Sequence, residues 1–313
     1  MISVNKVEMI KATLIIIAVA TFAAGQTYIQ DSKRESARSD KLTGGISKAL
    51  FAKGDPNIRL TLNIPSFQLT VWQSGREVAM YHVGVGKIDF PVPVSLRSAT
   101  SIEFNPAWIP PSSDWIEKSS TVKAGEVVLP TDPRNPLGKI KIPLGYGYLL
   151  HQAKGPGDLG GLVSHGCIRV MQNDLYEIAQ MIAAARSLNI TPAQIAVTRR
   201  NKKTIALPLE TPVVVEITYD TIVVENGRLN VYPDVYEKKM NTVANVRNEL
   251  RTSGIEDSLV TDKEIARIIS LAKGKQRYTA LVGDLEAGKA TSRGRYVGVL
   301  SNSPTSIPAV SSR

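Results

Sequence analysis

All the thiol and imidazole groups in this chain of 313 residues are one cysteine, Cys167, and three histidines, His82, His151 and His165. A single cysteine excludes an intramolecular disulfide framework. With 43% apolar residues, the chain has enough material for a packed core and is not a disordered protein. Long apolar runs are scarce. The best of them, Ala12 to Gly25, falls short of the roughly 20 residues that a bilayer-spanning helix needs. Acidic residues are in deficit, 28 against 38 basic, which gives a formal charge of +10 and a pI near 9.6. That balance favours anionic surroundings: nucleic acid, anionic lipid or an anionic wall polymer. No internal repeat is found.

Lys6 and Lys11, the apolar run and the small residues that close it have the layout of an export signal over residues 1–26, or an N-terminal anchor if it is retained. An exported, basic protein points to the cell envelope (the periplasm) and away from nucleic acid. Export also sharpens the question of the thiol, because a free cysteine in an oxidising compartment calls for a reason.

Residues 27–56 are charged and serine-rich without apolar periodicity, and read as a flexible linker. From residue 57 the segments "IRLTLNI", "FQLTVWQ" and "EVAMYHVGVG" alternate apolar with polar residues and read as strands joined by tight turns. A proline-rich stretch follows, including "NPAWIPPSSDW" and "LPTDPRNPLG". It predicts long ordered loops over a sheet, the usual place for a site. "YGYLLHQ" and "LVSHGCIRV" read as buried strands. Residues 174–188 switch to helical period with Leu175, Ile178, Met181, Ile182 and Ala185 on one stripe behind an Asn173 or Asp174 cap.

Further strands are predicted at "QIAVTRR", "TIALPLE" and "PVVVEITYDTIVVENGRLNVY", with Asn226-Gly227 as a hairpin turn. The chain is therefore mainly β. A C-terminal extension, 201–288, passes from strands to charged helices such as "KEIARIISLAK", and 289–313 reads as a disordered tail.

Taken alone, a lone cysteine is more often a small buried hydrophobe than a nucleophile. The neighbours of Cys167 change the reading. Gly166 permits a backbone that converges donors on a bound carbonyl, an oxyanion region. A thiol needs a base beside it, and His151 ends one strand while the glycine-rich "KGPGDLGG" leads back to the strand of Cys167. His165, two residues before Cys167, would share its face on an extended strand. His82 reads as solvated or structural.

The stretch "HQAKGPGDLGGLVSHGCIRV" resembles the motif of the L,D-transpeptidase catalytic domain, the YkuD type: a histidine, about a dozen residues, then Ser/Thr-His-Gly-Cys, an apolar residue and Arg or Asn. "LTLNIPSFQLTVWQSGREVAMYHVGVGK", "NPAWIPP" and "NPLGKIKIPLGYGYLLH" are similar to the family's flanking segments. The resemblance implies an L,D-transpeptidase-like β-sandwich with one packed helix over residues 57–200. It implies Cys167 as nucleophile and His151 as general base and acid. It implies the backbone of Gln152 as orienter of His151, and His165 and Gly166 with Cys167 in the oxyanion region. Ser164 and Arg169 would meet substrate. Gln152-Ala153 and "FPVPVS" depart from the family's usual Gly-Thr and Thr-Pro-Thr-Gly.

The implied partners are peptidoglycan stem peptides and an amine acceptor, such as a lipoprotein, with no nucleic acid. Membrane contact would come only through the N-terminal segment. No cofactor or metal is implied. Two rival readings use the same residues differently: a zinc hydrolase holding the metal on His151, His165 and Cys167, and a wall-binding module without catalysis.

Overall fold

The structure, a computed structural model, describes residues 58–300 apart from 259. The expected export signal at 1–26, the linker at 27–56 and the end of the tail at 301–313 lie outside the described residues.

Three strands open the fold: β1 (Ile58–Asn63), β2 (Gln68–Gln73) and β3 (Arg76–Gly86). In β1 the alternation dictates the face, with Ile58, Leu60 and Leu62 fully buried and the residues between them at the surface. Next come β4 (Ser95–Phe104), a long excursion carrying the short helix α1 (Asp114–Glu117), then β5 (Ile140–Pro143), β6 (Leu149–Gln152), β7 (Leu162–Ser164) and β8 (Ile168–Val170). Helices α2 (Gln172–Ala185) and α3 (Pro192–Thr198) lead to β9 (Ile205–Thr218).

These nine strands form one sheet in the order β2-β1-β9-β4-β5-β6-β8-β3-β7. Strand β3 also pairs with β2 through its first half, Arg76 to His82, while its second half pairs with β8 and β7. The sheet therefore wraps round and meets its own beginning, enclosing an apolar interior. Helix α2 adds Leu175, Tyr176, Ile178, Ala179 and Ile182 to that interior. Its cap falls two residues before Asn173 and three before Asp174, the expected positions. Met171 occupies the N-cap without a side-chain hydrogen bond.

A smaller sheet follows in the order β10-β11-β12-β13, from β10 (Ile222–Glu225), β11 (Arg228–Val231), β12 (Gln276–Leu281) and β13 (Arg295–Gly298). Helices α4 (Val243–Thr252) and α5 (Asp262–Leu271) precede β12, and α6 (Val282–Glu286) and α7 (Ala290–Arg293) follow it. Asn226 and Gly227, both at positive φ, make the expected two-residue turn between β10 and β11. This unit has its own core, including Leu229, Val231, Leu250, Ile265 and Tyr278.

Four expectations change. "QIAVTRR" is not a strand: its first part lies in α3, because Thr191 and Gln194 form a reciprocal capping box and Pro192 fills the first helical turn. Strand β9, assigned from the sequence to a region after residue 200, lies between β1 and β4 in the large sheet. "QRYTAL" is a strand within the supposedly helical region. Its four middle residues are all buried, so it carries no alternation to read. The tail is ordered at least to residue 300, with β13 paired to β12 and Val299 buried in the large unit's core.

Thr191→Ala removes the capping box, so the urea midpoint should fall by an amount equivalent to about 1 kcal/mol. A strand at this position would be indifferent to the change.

Candidate active site

Strands β6 and β8 run parallel with Leu150 opposite Ile168, His151 opposite Arg169 and Gln152 opposite Val170. Leu150 and Ile168 point into the core and are essentially unexposed. Pleat alternation then turns His151 and Arg169 to the other face. Cys167 sits one residue before β8, beside the start of β6. The sequence separation of His151 and Cys167 is thus closed by one parallel pairing, with the "KGPGDLGG" loop and the short β7 as the crossover.

The turn that presents Cys167 is tightly built. Ser164 is buried and its hydroxyl donates to the Cys167 carbonyl at 2.5 Å. Its place is therefore inside the turn, away from any substrate. Gly166 has φ +101°, and a Cβ there would lie 3.0 Å from the Tyr148 ring. Only glycine takes this conformation without strain. The same φ breaks the extended alternation expected between His165 and Cys167. The His165 ring stacks on Trp115 at 4.3 Å and meets the edge of Phe90 at 4.7 Å.

The Cys167 thiol donates to the Gly147 carbonyl at 4.0 Å. Burial pushes its pKa up to about 11, against smaller opposing effects of the Leu149 backbone and Arg169. His151 is 4% exposed. Burial, then the positive charge of Arg169, brings its pKa down to about 4, although backbone groups of Gln152 and Pro136 and the charge of Asp158 favour the protonated ring. Burial thus disfavours the charged form of both groups, the thiolate and the imidazolium. Burial, then Lys87 and Arg169, also lowers the pKa of His165.

Arg169 is engaged rather than free for a substrate carboxylate. One guanidinium nitrogen donates to Asp158 Oδ2 at 2.8 Å, and both side chains are largely buried. The Lys154 N–H donates to the same oxygen at 2.8 Å. Burial works against the Asp158 charge, but the hydrogen bonds from Arg169 and the Lys154 N–H outweigh it and hold its pKa below the ordinary carboxylate value.

The departure at Gln152 has a structural use. Its side-chain oxygen accepts from the Lys139 N–H at 2.9 Å, and a Cβ on Gly138 would lie 2.5 Å from that side chain. Gln152 thus reaches outward to tie the end of the proline-rich excursion to β6. That excursion is the ordered loop expected from its prolines. It is cross-braced by Asn135, bridged between Trp108 and Val128, and packed on its own small cluster of Ile116, Val122 and Val128. It delivers Trp115 to His165.

Sequence reasoning missed Asp158, Trp115, Phe90 and Gly147. Asp158 had a signal, being the only acid in "KGPGDLGG" and close to a basic strand end. The others had none. Among the described residues no three His, Cys, Asp or Glu side chains group as a metal would require. That counts against the zinc reading, since His165 turns to aromatic rings. His82, beside the second-half pairing of β3, is half-buried, and burial lowers its pKa.

Comparison with known families now decides the membership. The sequence model of the YkuD L,D-transpeptidase catalytic domain matches residues 57–215. The chain belongs to the L,D-transpeptidase catalytic-domain family. The matched range extends beyond residue 200 and includes most of β9. The chain is 27% identical over 149 residues to the probable L,D-transpeptidase YcfS of Escherichia coli strain K12, covering 45% of this chain and 47% of that protein. It is 25% identical over 118 residues to the probable L,D-transpeptidase ErfK/SrfK of Salmonella typhimurium strain LT2, covering 37% and 38%. These matches span about half or less of the curated relatives' length. Among solved structures, an L,D-transpeptidase from Mycobacterium smegmatis aligns at 17% identity and a TM-score of 0.32, over 51% of this chain and 58% of that one. The catalytic domain of the E. faecium L,D-transpeptidase aligns at 16% identity and a TM-score of 0.33, over 51% and 97%.

The burial of Cys167 and His151 makes a direct prediction for this family member. Alkylation of Cys167 by iodoacetamide should be slow at neutral pH and keep rising toward the thiol pKa of about 11. A plateau already reached by about pH 8 would instead reveal a thiolate paired with an imidazolium.

Proposed function

We propose that this chain is an L,D-transpeptidase of the cell envelope. It transfers the acyl group of a peptidoglycan tetrapeptide stem from D-Ala to an amine, with Cys167 as nucleophile and His151 as base and acid. The observation that carries the reading is the β6–β8 register, in which His151 lies opposite Arg169, two residues along from Cys167, in a chain of the L,D-transpeptidase family.

The protonation states shape the mechanism. With the thiol neutral at rest, sulfur attacks the carbonyl between the third and fourth stem residues as its proton passes to His151. The S–C bond forms and the carbonyl electrons move onto oxygen. The reading gives that oxyanion to backbone N–H groups of the His165-Gly166-Cys167 turn. Collapse breaks the C–N bond, and His151 protonates the departing D-Ala amine. An incoming amine then attacks the thioester, giving its proton to His151 as the C–N bond forms and the C–S bond breaks. The proton returns to sulfur. Water in place of the amine makes the same site a carboxypeptidase.

Carbonyl groups beside His151, that of Gln152 among them, support a ring that becomes positive only during the reaction. Asp158 offsets the Arg169 charge next to it. The formal charge of +10 suits stem peptides that carry several carboxylates. We assign residues 1–26 to export, 57–218 to the catalytic unit and 219–300 to an appended unit. A lipoprotein amine is one candidate acceptor and a second stem peptide another.

The test is mass spectrometry of the full chain incubated with disaccharide-tetrapeptide. Loss of D-Ala, an acyl adduct on Cys167 and an amine-linked or hydrolysed product are expected, unaffected by EDTA. Cys167→Ala should abolish all three, and His151→Gln should slow acylation by about a hundredfold or more. Should Cys167→Ala release D-Ala as fast as the parent, the mechanism is wrong. Gly166→Ala, strained at φ +101°, should lower kcat by about a hundredfold while the protein still folds.

A further inference from the structure

The turn that carries Cys167 rests on a neighbouring loop, and that loop is held by the C-terminal unit. Residues 86–92 follow β3 and fold back sharply, with the Phe90 N–H donating to the Lys87 carbonyl at 3.0 Å. The loop touches three successive residues of the turn. The Lys87 N–H donates to the Ser164 carbonyl at 3.0 Å, and the Phe90 ring meets His165. A Cβ on Gly86 would lie 2.1 Å from the Phe90 carbonyl oxygen and 3.1 Å from the Gly166 Cα. Backbone packs on backbone here with no slack.

A single hydroxyl closes this loop. Tyr236, from the segment after β11, is buried, and its OH donates to the Gly86 carbonyl at 3.0 Å while accepting from the Val92 N–H at 3.1 Å. Both ends of the loop are thus pinned to one oxygen atom. Burial drives the Tyr236 pKa well above its ordinary value, so the donor stays protonated.

Tyr236 is itself fixed. Its ring stacks on Tyr219 at 5.6 Å, and its N–H donates to the Tyr219 hydroxyl at 2.6 Å. That hydroxyl donates to Asp234 Oδ1 at 2.6 Å, and Asp234 also accepts from the Lys238 and Met240 N–H groups. An unbroken series of hydrogen bonds runs from Asp234 through Tyr219 and Tyr236 to the loop beneath the cysteine turn.

We infer that Tyr236 is a positioning residue for acyl transfer, locking the loop at 86–92 so that the His165-Gly166-Cys167 backbone faces the developing oxyanion. The inference rests on the L,D-transpeptidase reading above. It makes the segment beyond the family-matched range part of the working site. A loop set free by loss of the clamp would displace the turn by a fraction of an ångström, enough to cost about tenfold to a hundredfold in rate.

The experiment compares the parent chain with Tyr236→Phe, which keeps the ring stack and loses only the hydroxyl. Three quantities are measured: acylation of Cys167 by disaccharide-tetrapeptide, alkylation of Cys167 by iodoacetamide, and thermal unfolding. Alkylation at sulfur forms no oxyanion, so it serves as an internal control. The expected result is a tenfold to hundredfold lower kcat for acylation at unchanged KM, with alkylation rate and unfolding temperature close to the parent's. Parent-like acylation by Tyr236→Phe overturns the inference and leaves the functional reading intact. So does a loss shared equally by acylation, alkylation and unfolding, which marks a purely structural role. Absence of acylation in the parent itself overturns the functional reading and the inference with it. Tyr219→Phe, which loosens Tyr236 but leaves its hydroxyl, should give a smaller loss in the same direction and carries the test if Tyr236→Phe does not fold.

Discussion

The parallel register of β6 on β8 is the constraint from which the site follows. Leu150 and Ile168 lie opposite one another and are buried, each worth about 1.5–3 kcal/mol of apolar burial. A slip of β8 by one residue would expose Ile168 and turn Arg169 into the core, and a slip of β6 would do the same to Leu150 and His151. The packing energy of two aliphatic side chains thus sets which residues face away from the core, His151 and Arg169 among them.

Around that register the protein is dry on one side and carefully charged on the other. Burial disfavours both the Cys167 thiolate and the His151 imidazolium. Arg169 adds a positive charge beside both, and Asp158 answers it from the crossover loop. The same loop that lets a parallel pair form, rich in glycine and therefore able to turn back, also carries the acid that pairs with Arg169. Connection and electrostatics are one piece of chain.

Two other segments lean on the cysteine turn from outside the sheet. The proline-rich excursion brings Trp115 onto His165 and is tied down by Gln152, the residue beside His151. The loop at 86–92 supports Ser164, His165 and Gly166, and is pinned from the C-terminal unit. The appended unit also sends Val299 back into the large core. It has its own core, yet it is joined to the large unit at the loop nearest the chemistry.

Much of this was legible in the chain itself, for physical reasons. Strand β1 showed because its burial alternates residue by residue, and α2 because its stripe has a period of 3.6. The adjacency of the strands of His151 and Cys167 showed because the glycine-rich "KGPGDLGG" between them is able to lead the chain back. What did not show lacked a local signal. Strand β12 is covered on both faces, the capping box at Thr191 outweighed the β-branched look of the residues after it, and His165 was read on a strand that Gly166 turns into a bend. Residue identities determined the candidate groups, because chemistry belongs to side chains. The tertiary structure alone decided their burial, their neighbours and the hydrogen bonds of Tyr236 to the loop after β3, because burial and contact between residues far apart in sequence exist only once the chain has folded.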